Sequence, residues 1–313
     1  MEGRLTLLSG GVGGAKLALG FYTVLDPTRL TIIADTADDI ELFGLHISPD
    51  GDILAYTLAG QVNEDTGWGL AGDSFTALER VREFGGTGWF NLGDRDIGLH
   101  LFRTELLRAG VGPAEVMRRV GEVLGLRCTL LPMSEQPVTT RLTTDAGELH
   151  LQEYLIRHRA EPVVRAIRFE GVEAALPAPG VAEALAESEL VVLAPSNPLI
   201  SLDPILAVPG LRGMVAGAPG LKVGVSPIVG GKSLKGPSDR MLAQLGLPVT
   251  PVAVAEKYRD VLDVFVVDER DAGFREGVEN LGLRCIVAPT VMETLAAKQA
   301  LAKAILELPR RPA

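Results

Sequence analysis

The sequence predicts an α/β protein of three layers, with helices on both faces of a mostly parallel sheet. Three observations carry this. Short apolar runs alternate with segments of helical period along the chain. The runs at 5–8 (LTLL), 30–34 (LTIIA), 189–194 (ELVVLA) and 221–226 (LKVGVS) are mostly apolar, as strands covered on both faces are. Each run ends in a cluster of glycine, serine or acidic residues, the place where open parallel sheets hold their ligands. With 313 residues, 47% of them hydrophobic, the chain has material for a large core. It reads as a single α/β domain over 1–313. The core covers about 1–60 and 160–308, with a helical insertion or lid at about 73–125 and a β-rich insertion at about 127–157.

The first strand, residues 5–8, stops at Ser9. Gly10, Gly11, Gly13 and Gly14 follow, and Ala15-Lys16-Leu17 opens a helix. A strand, a glycine turn and a helix in that order make the fold Rossmann-like and form a phosphate cradle. Glycines let the backbone approach an anion, and the free N–H groups of the helix start point at it. Lys16 adds a point charge. The run fits neither G-x-G-x-x-G nor G-x-x-x-x-G-K-[ST], so an ordinary dinucleotide fold and a P-loop ATPase are not indicated. A bare turn needs one glycine; four favour an anion.

The second strand, 30–34, runs into Asp35-Thr36-Ala37-Asp38-Asp39. Acids at a strand's C-terminal end suit a divalent cation or a hydroxyl. Asp38 or Asp39 also suits the cap of a helix beginning at Ile40. Asp50 follows behind Pro49, and 53–60 reads as helix. Residues 61–73 are glycine-rich around Trp68, a candidate stacking surface for a flat ligand. A helix is expected at 74–84. A second polar cluster, Trp89-Phe90-Asn91-Leu92-Gly93-Asp94-Arg95-Asp96, precedes a helix at 97–109. There Asp94 and Asp96 are candidates for metal or hydroxyl, and Arg95, His100 and Arg103 for phosphate. A further helix at 113–124 completes the helical insertion.

From 127 the texture turns to short β runs. They are a strand at 128–131, a hairpin of 138–143 and 148–155 around Asp145-Ala146-Gly147, and a strand at 163–169. A helix at 181–186 returns the chain to the parallel pattern. The strand at 189–194 ends in Ser196 and Asn197, donors for a base or a phosphate. The strand at 221–226 ends at Ser226, and Gly230-Gly231 with Lys232 and Lys235 forms a second candidate anion cradle. Strands at 263–268 and 284–288 and a helix at 291–308 close the chain; the tail LPRRPA is expected to fray.

Formal net charge is −10. That balance argues against general nucleic-acid binding and against a polybasic membrane anchor, though a local cradle can oppose the global sign. Cys128 and Cys285 have no metal or disulfide spacing and read as buried thiols. No leader pattern and no run of eighteen apolar residues occurs, so a soluble cytoplasmic protein is expected. The apolar helices at 97–124 suit a lid or a homodimer face.

Five segments together carry a family resemblance. They are SGGVGGAKLALG, DTADDIELFGLHISPD, WFNLGDRDIGLHLFRT, APSNPLIS with the later PILAVPGLR, and VSPIVGGKSLKGPSDRM. In order and spacing they resemble the phospholactate transferases of coenzyme F420 biosynthesis, CofD in archaea and FbiA in actinobacteria. The likeness runs from Leu5 to about Asp271. It departs at Asp35, where relatives often carry Asn, and at Asn91, where some archaeal members carry Lys.

The resemblance implies a reaction. A guanylyl diphosphate ester of a three-carbon acid, 2-phospholactate or phosphoenolpyruvate joined to GMP, is the donor. The deazaflavin FO is the acceptor. Its terminal ribityl hydroxyl attacks the phosphorus bearing the acid, GMP leaves, and F420-0 or its dehydro form results, with Mg²⁺ as the implied metal. On this reading Ser9, Gly10, Gly11, Gly13, Gly14 and Lys16 hold the diphosphate. Ser196 and Asn197 help place the guanosine end, Asp50 and the segment around Trp89 and Asn91 face FO, and Ser226, Gly230, Gly231 and Lys235 are further substrate or nucleotide contacts. Thr36, Asp38, Trp89, Asn91, Arg95, His100 and Arg103 complete the substrate contacts. Asp94, Asp50 and Asp96 are the expected catalytic acids, and Asp94 and Asp39 the expected metal ligands. A related branch, the YvcK-like proteins, binds nucleotide sugars and acts in regulation. It typically reads Thr-Asp-Asp-Gly-Gly-Ser where this chain has Thr36-Ala37-Asp38-Asp39-Ile40-Glu41, and Ser48-Pro49-Asp50 also favours the transferase.

Overall fold

A computed structural model describes residues 3–309. Its centre is a seven-stranded parallel sheet. In chain order the strands are β1 (Arg4–Ser9), β2 (Leu30–Ala34), β3 (Thr129–Pro132), β4 (Ser188–Leu193), β5 (Leu221–Val225), β6 (Val264–Asp268) and β7 (Arg284–Ala288). In space they lie 7-6-5-4-1-2-3. The order reverses between β1 and β4, whose Leu5 and Leu7 pair with Leu190 and Val192. A crevice opens at such a reversal, beyond the strands' C-terminal ends.

Alternation along the strands divides the core in two. Leu5, Leu7, Ile32 and Val192 face the helices Gly11–Val24, Pro49–Leu58 and Leu295–Leu306. Leu8, Ile33, Val191 and Phe265 face the other way, toward Val181–Ala186, Leu211–Gly217 and Pro251–Lys257. This is the expected three-layer α/β fold, and both faces of the sheet are covered, as all-parallel sheets require.

The expected elements shift in four places. The first helix starts at Gly11, not Ala15, so three of the four glycines form its opening turn. No helix begins at Ile40. Instead Ile40–Leu42 and Leu45–Ile47 pair as a hairpin. Its two turn residues, Phe43 and Gly44, both have positive φ, the geometry of a two-residue hairpin turn. The run expected at the start of the β-rich insertion is β3, which pairs in parallel with β2. The separate antiparallel sheet holds Gly147–His150, Thr139–Thr144 and Val164–Glu170, in that order; the strand expected over 148–155 stops at His150, and residues 151–157 are helical. The last helix starts at Leu295, because residues 290–293 run along the crevice. The frayed end expected for the tail falls mostly on residues 310–313, outside the described residues.

Helices Asp94–Arg108 and Pro113–Val123 form as read, the first opening at its two acids. Among the described residues no single helix is long and apolar enough to cross a membrane.

Candidate functional site

A cavity of about 500 Å³ lies over the sheet's C-terminal ends. Its floor is the β1 turn. Gly10 caps the first helix, and a Cβ there would stand 2.3 Å from Asp50 Oδ2 and 2.8 Å from Ser201 Cβ, so only glycine fits. Gly11 has φ +65°, a conformation that glycine adopts without strain. Ser196 locks this turn from the end of β4. Its hydroxyl accepts from Gly10 N–H at 3.2 Å and donates to Gly10 O at 2.7 Å. The floor is thus built from two strands adjacent in space but 186 positions apart in sequence.

Beside it stand three buried acids. Carboxylate oxygens of Asp35, Asp38 and Asp50 all lie within 4.8 Å of one another. Asp35 Oδ2 and Asp38 Oδ1 have no hydrogen-bond partner. Burial first, then the neighbouring acids, push the Asp35 and Asp38 carboxyls well up from the usual range. Burial pushes Asp50 up to about 7, against a hydrogen bond from Gly11 N–H that holds it down. A divalent cation relieves such a cluster, supplying both the missing partner for the orphaned oxygens and the opposite charge.

Cations gather on the other side of the glycine turn. Burial and then the charges of Lys298 and Lys235 lower the Lys16 ammonium from its ordinary value. Lys16 and Lys235 both line the cavity. Glu293, which also lines the cavity, opposes the two lysine charges felt by Lys16 but is the smaller influence, so an anion seated there would be favoured.

The third wall is apolar with a polar seam. Ile47, Ile53, Phe90, Leu151, Leu155 and Ile156 line it. The Tyr56 hydroxyl donates to Asp96 Oδ1 at 2.6 Å, and burial pushes the Asp96 carboxyl up to about 6. Behind this pair Arg103 makes a two-point ion pair with Asp52 and also contacts His100 Nδ1 at 3.3 Å. Burial draws His100 down to about 4, so it is neutral at pH 7.

Of the residues expected from the sequence, the cavity gathers Gly10, Gly11, Gly13, Lys16, Asp38, Asp50, Asn91, Asp96, His100, Ser196, Asn197, Ser226 and Lys235. The others lie elsewhere. Asp94 is spent on local structure: it accepts from the Ser74 hydroxyl at 2.6 Å, Thr76 N–H at 3.0 Å and Ala77 N–H at 2.9 Å. These bonds hold its carboxyl below the usual range. It clamps the start of helix Thr76–Glu83, a helix whose own cap residue Phe75 offers no side-chain bond. Arg95 reaches out to Ala71 O, and Arg103 is consumed by Asp52 rather than left for phosphate. Trp89 packs edge-on against Phe90, and only Phe90 and Asn91 face the cavity. Gly230 gives its N–H to Asp271 at 2.9 Å, so the second glycine pair is a pinned hairpin turn outside the cavity lining. Asp39 and Thr36 turn to a smaller recess, where Asp39 meets His46 at 2.9 Å. Ser9 and Gly14 sit beneath the turn: a Cβ on Gly14 would meet the Ser9 hydroxyl at 2.2 Å. Asn197 accepts from Leu199 N–H while lining the cavity.

Sequence reasoning passed over Tyr56 and Gln152; Asp35 belongs to the acid run after β2 that reads as a cation or hydroxyl site, though the expected ligands are Asp94 and Asp39 instead. Tyr56 and Gln152 sit in ordinary helical and loop patterns, and nothing local marks them.

The comparisons with known proteins agree with one another. The model of the family described as 2-phospho-L-lactate transferase CofD matches residues 5–281. A protein of Streptomyces griseus named phosphoenolpyruvate transferase is 42% identical over 311 residues, 97% of this chain and 98% of that one. One from Methanosarcina mazei named 2-phospho-L-lactate transferase is 35% identical over 303 residues, 97% and 99% of the two chains. Among solved structures, a UPF0052-family protein from Bacillus halodurans superposes with a TM-score of 0.65 at 16% identity, covering 97% of this chain and 99% of its own. That last likeness is one of fold.

Proposed function

Because the chain belongs to the 2-phospho-L-lactate transferase CofD family, a family of transferases in coenzyme F420 biosynthesis, we propose how its cavity carries that activity. The donor is a guanylyl diphosphate ester of a three-carbon acid, and the acceptor is the ribityl hydroxyl of the deazaflavin FO. The observation that carries this is the abutment of the acid cluster and the glycine turn, joined by the Gly11–Asp50 hydrogen bond. A diphosphate needs a backbone cradle on one side and a bridging cation on the other, and the turn and the acids stand in that relation.

Asp35, Asp38 and Asp50 would hold Mg²⁺, in place of the Asp94 and Asp39 expected from the sequence. When bound, Mg²⁺ supplies charge neutralisation to the diphosphate oxygens. The chain's residues do the rest. Gly10–Gly13 and Lys16 hold the diphosphate at the helix start, and Lys235 neutralises charge on the same anion. Ser196 fixes the turn, so the reacting phosphorus has one position. The apolar wall around Ile53, Phe90 and Leu155 takes the flat deazaflavin, and Tyr56 and Asp96 offer it a polar edge. The ribityl oxygen then bonds to the phosphorus bearing the acid, its hydroxyl proton is released to water, and the bond from that phosphorus to the bridging oxygen breaks, releasing GMP. Positioning and charge neutralisation suffice for this displacement, and no covalent enzyme intermediate is needed.

Identity supports the enolpyruvyl donor: relatives named phosphoenolpyruvate transferase reach 42%, against 35% for those named 2-phospho-L-lactate transferase. The test supplies purified protein with FO, Mg²⁺ and each guanylyl donor in turn, and weighs the deazaflavin by mass spectrometry. Gain of a phosphoenolpyruvyl mass is the expected result. No product from any donor, with tight nucleotide-sugar binding instead, would overturn the transferase reading in favour of a regulatory binder.

A further inference from the structure

The antiparallel insertion grips the acidic loop at three successive residues. Thr140 N–H donates to Ala37 O at 2.7 Å. The Gln152 side-chain amide donates to Asp38 Oδ2 at 2.9 Å. His150 Nε2 meets Asp39 O at 3.1 Å. The histidine's other nitrogen, Nδ1, accepts from Gln152 N–H at 3.1 Å, so Nε2 carries the proton and is the donor to Asp39 O. Residues 37, 38 and 39 are therefore held in sequence by two strand residues, Thr140 and His150, and by Gln152 in the helical turn that follows, all about a hundred positions later.

Two of these grips reach backbone oxygens and fix the course of the loop. The third is different in kind, because it reaches a carboxylate that belongs to the acid cluster. Gln152 is 5% exposed and lines the cavity. Its amide occupies Asp38 Oδ2 and leaves Asp38 Oδ1 without any protein partner. An amide does this without bringing a positive charge. A lysine or arginine there would neutralise the cluster and compete with a cation; a neutral donor orients the ligand and leaves its charge available.

We infer that Gln152 is the positioning residue of the acidic site, turning Asp38 so that its Oδ1 faces a divalent cation, and that the antiparallel insertion serves to carry this residue to the cluster. The inference rests on reading Asp35, Asp38 and Asp50 as that cation's site.

The test is a double-mutant cycle read by Mn²⁺ binding, with the full chain titrated and free Mn²⁺ followed by electron paramagnetic resonance. Gln152→Met keeps the length of the side chain and removes the donor; it is expected to weaken Mn²⁺ binding about tenfold to a hundredfold, the usual cost of losing a partner that orients a metal ligand. Asp38→Asn weakens it as well. The double variant is expected to bind no more weakly than Asp38→Asn alone, because the amide acts only through Asp38. A purely structural glutamine would instead give additive losses. Gln152→Asn, which withdraws the amide by one methylene, guards against misfolding of the methionine variant and is expected to weaken Mn²⁺ to the same degree. Each variant is checked by its thermal midpoint and by GDP binding in EDTA. Wild-type-like Mn²⁺ affinity in the Gln152 variants, with a clear loss in Asp38→Asn, overturns the inference and leaves the cation site standing. Absence of Mn²⁺ binding by the wild type overturns both.

Discussion

At neutral pH three carboxylates buried this close together resist ionisation, and Asp50 shows the consequence. Its folded-state value of about 7 stands above the ordinary 3.8 of an unfolded chain. Between those two values the folded protein holds a proton that the unfolded chain has released. Stability from this group is therefore fully present below about pH 4 and is lost as pH rises toward 7, by an amount on the order of a few kcal/mol. The expected outcome is that metal-free wild type loses thermal midpoint across that window relative to Asp50→Asn, which has no such proton to lose. Mg²⁺ should restore the wild type at pH 8 and do little at pH 5. Equal pH profiles for the two proteins would contradict this account of Asp50. Sequence gave the residue types here but not their state. Asp35 and Asp38 are legible as acids at a strand end and Asp50 as an acid behind Pro49; that all three are buried and share one space depends on the hairpin at 40–47 that brings Asp50 back to the loop.

At the scale of elements, strands were the easy part, since a strand covered on both faces must be apolar throughout and so declares itself. Helix starts were harder. The acids after β2 read equally well as a helix cap, and a hairpin took their place because Phe43 and Gly44 accept positive φ. Asp94 misled for a related reason: a carboxylate beside glycines at a helix start looks like a ligand, yet it serves the N–H groups of a different helix, twenty residues upstream. That role predicts a local effect. Asp94→Ala should speed amide exchange across residues 74–84 while Mn²⁺ affinity stays within about twofold of wild type, the scatter expected of distant sites. Protection unchanged in that segment, or metal binding lost, would show that Asp94 does something other than hold the helix.

Over the whole molecule, a net charge of −10 surrounds a site lined by Lys16 and Lys235, with the charge of Lys298 reaching Lys16. The acidic balance argues against general nucleic-acid binding, and lysines at the cavity would offset it locally for an anion. GDP with Mg²⁺ should therefore stabilise the protein. At a hundred times the dissociation constant the gain is about 2.7 kcal/mol, a rise of several degrees in the thermal midpoint. GDP in EDTA should give a smaller rise, because the acids then face the diphosphate without a cation between them. A larger rise without metal would mean the acids do not meet the phosphates. The wall residues Tyr56 and Gln152 show why this level was least legible: they are placed by contacts with residues 40 and 114 positions away.

The reciprocal bridge between Ser196 and Gly10 also sets a clock on the ribosome. The first strand and its glycine turn are synthesised early, but the neighbour β4 lies about 180 residues behind, a wait of about 10 to 35 s at ordinary rates of synthesis. Throughout that interval the emerging N-terminal segment has an apolar edge without its partner and a cradle without its lock. A chain that ends before Ser196 lacks this lock and cannot assemble the ligand site.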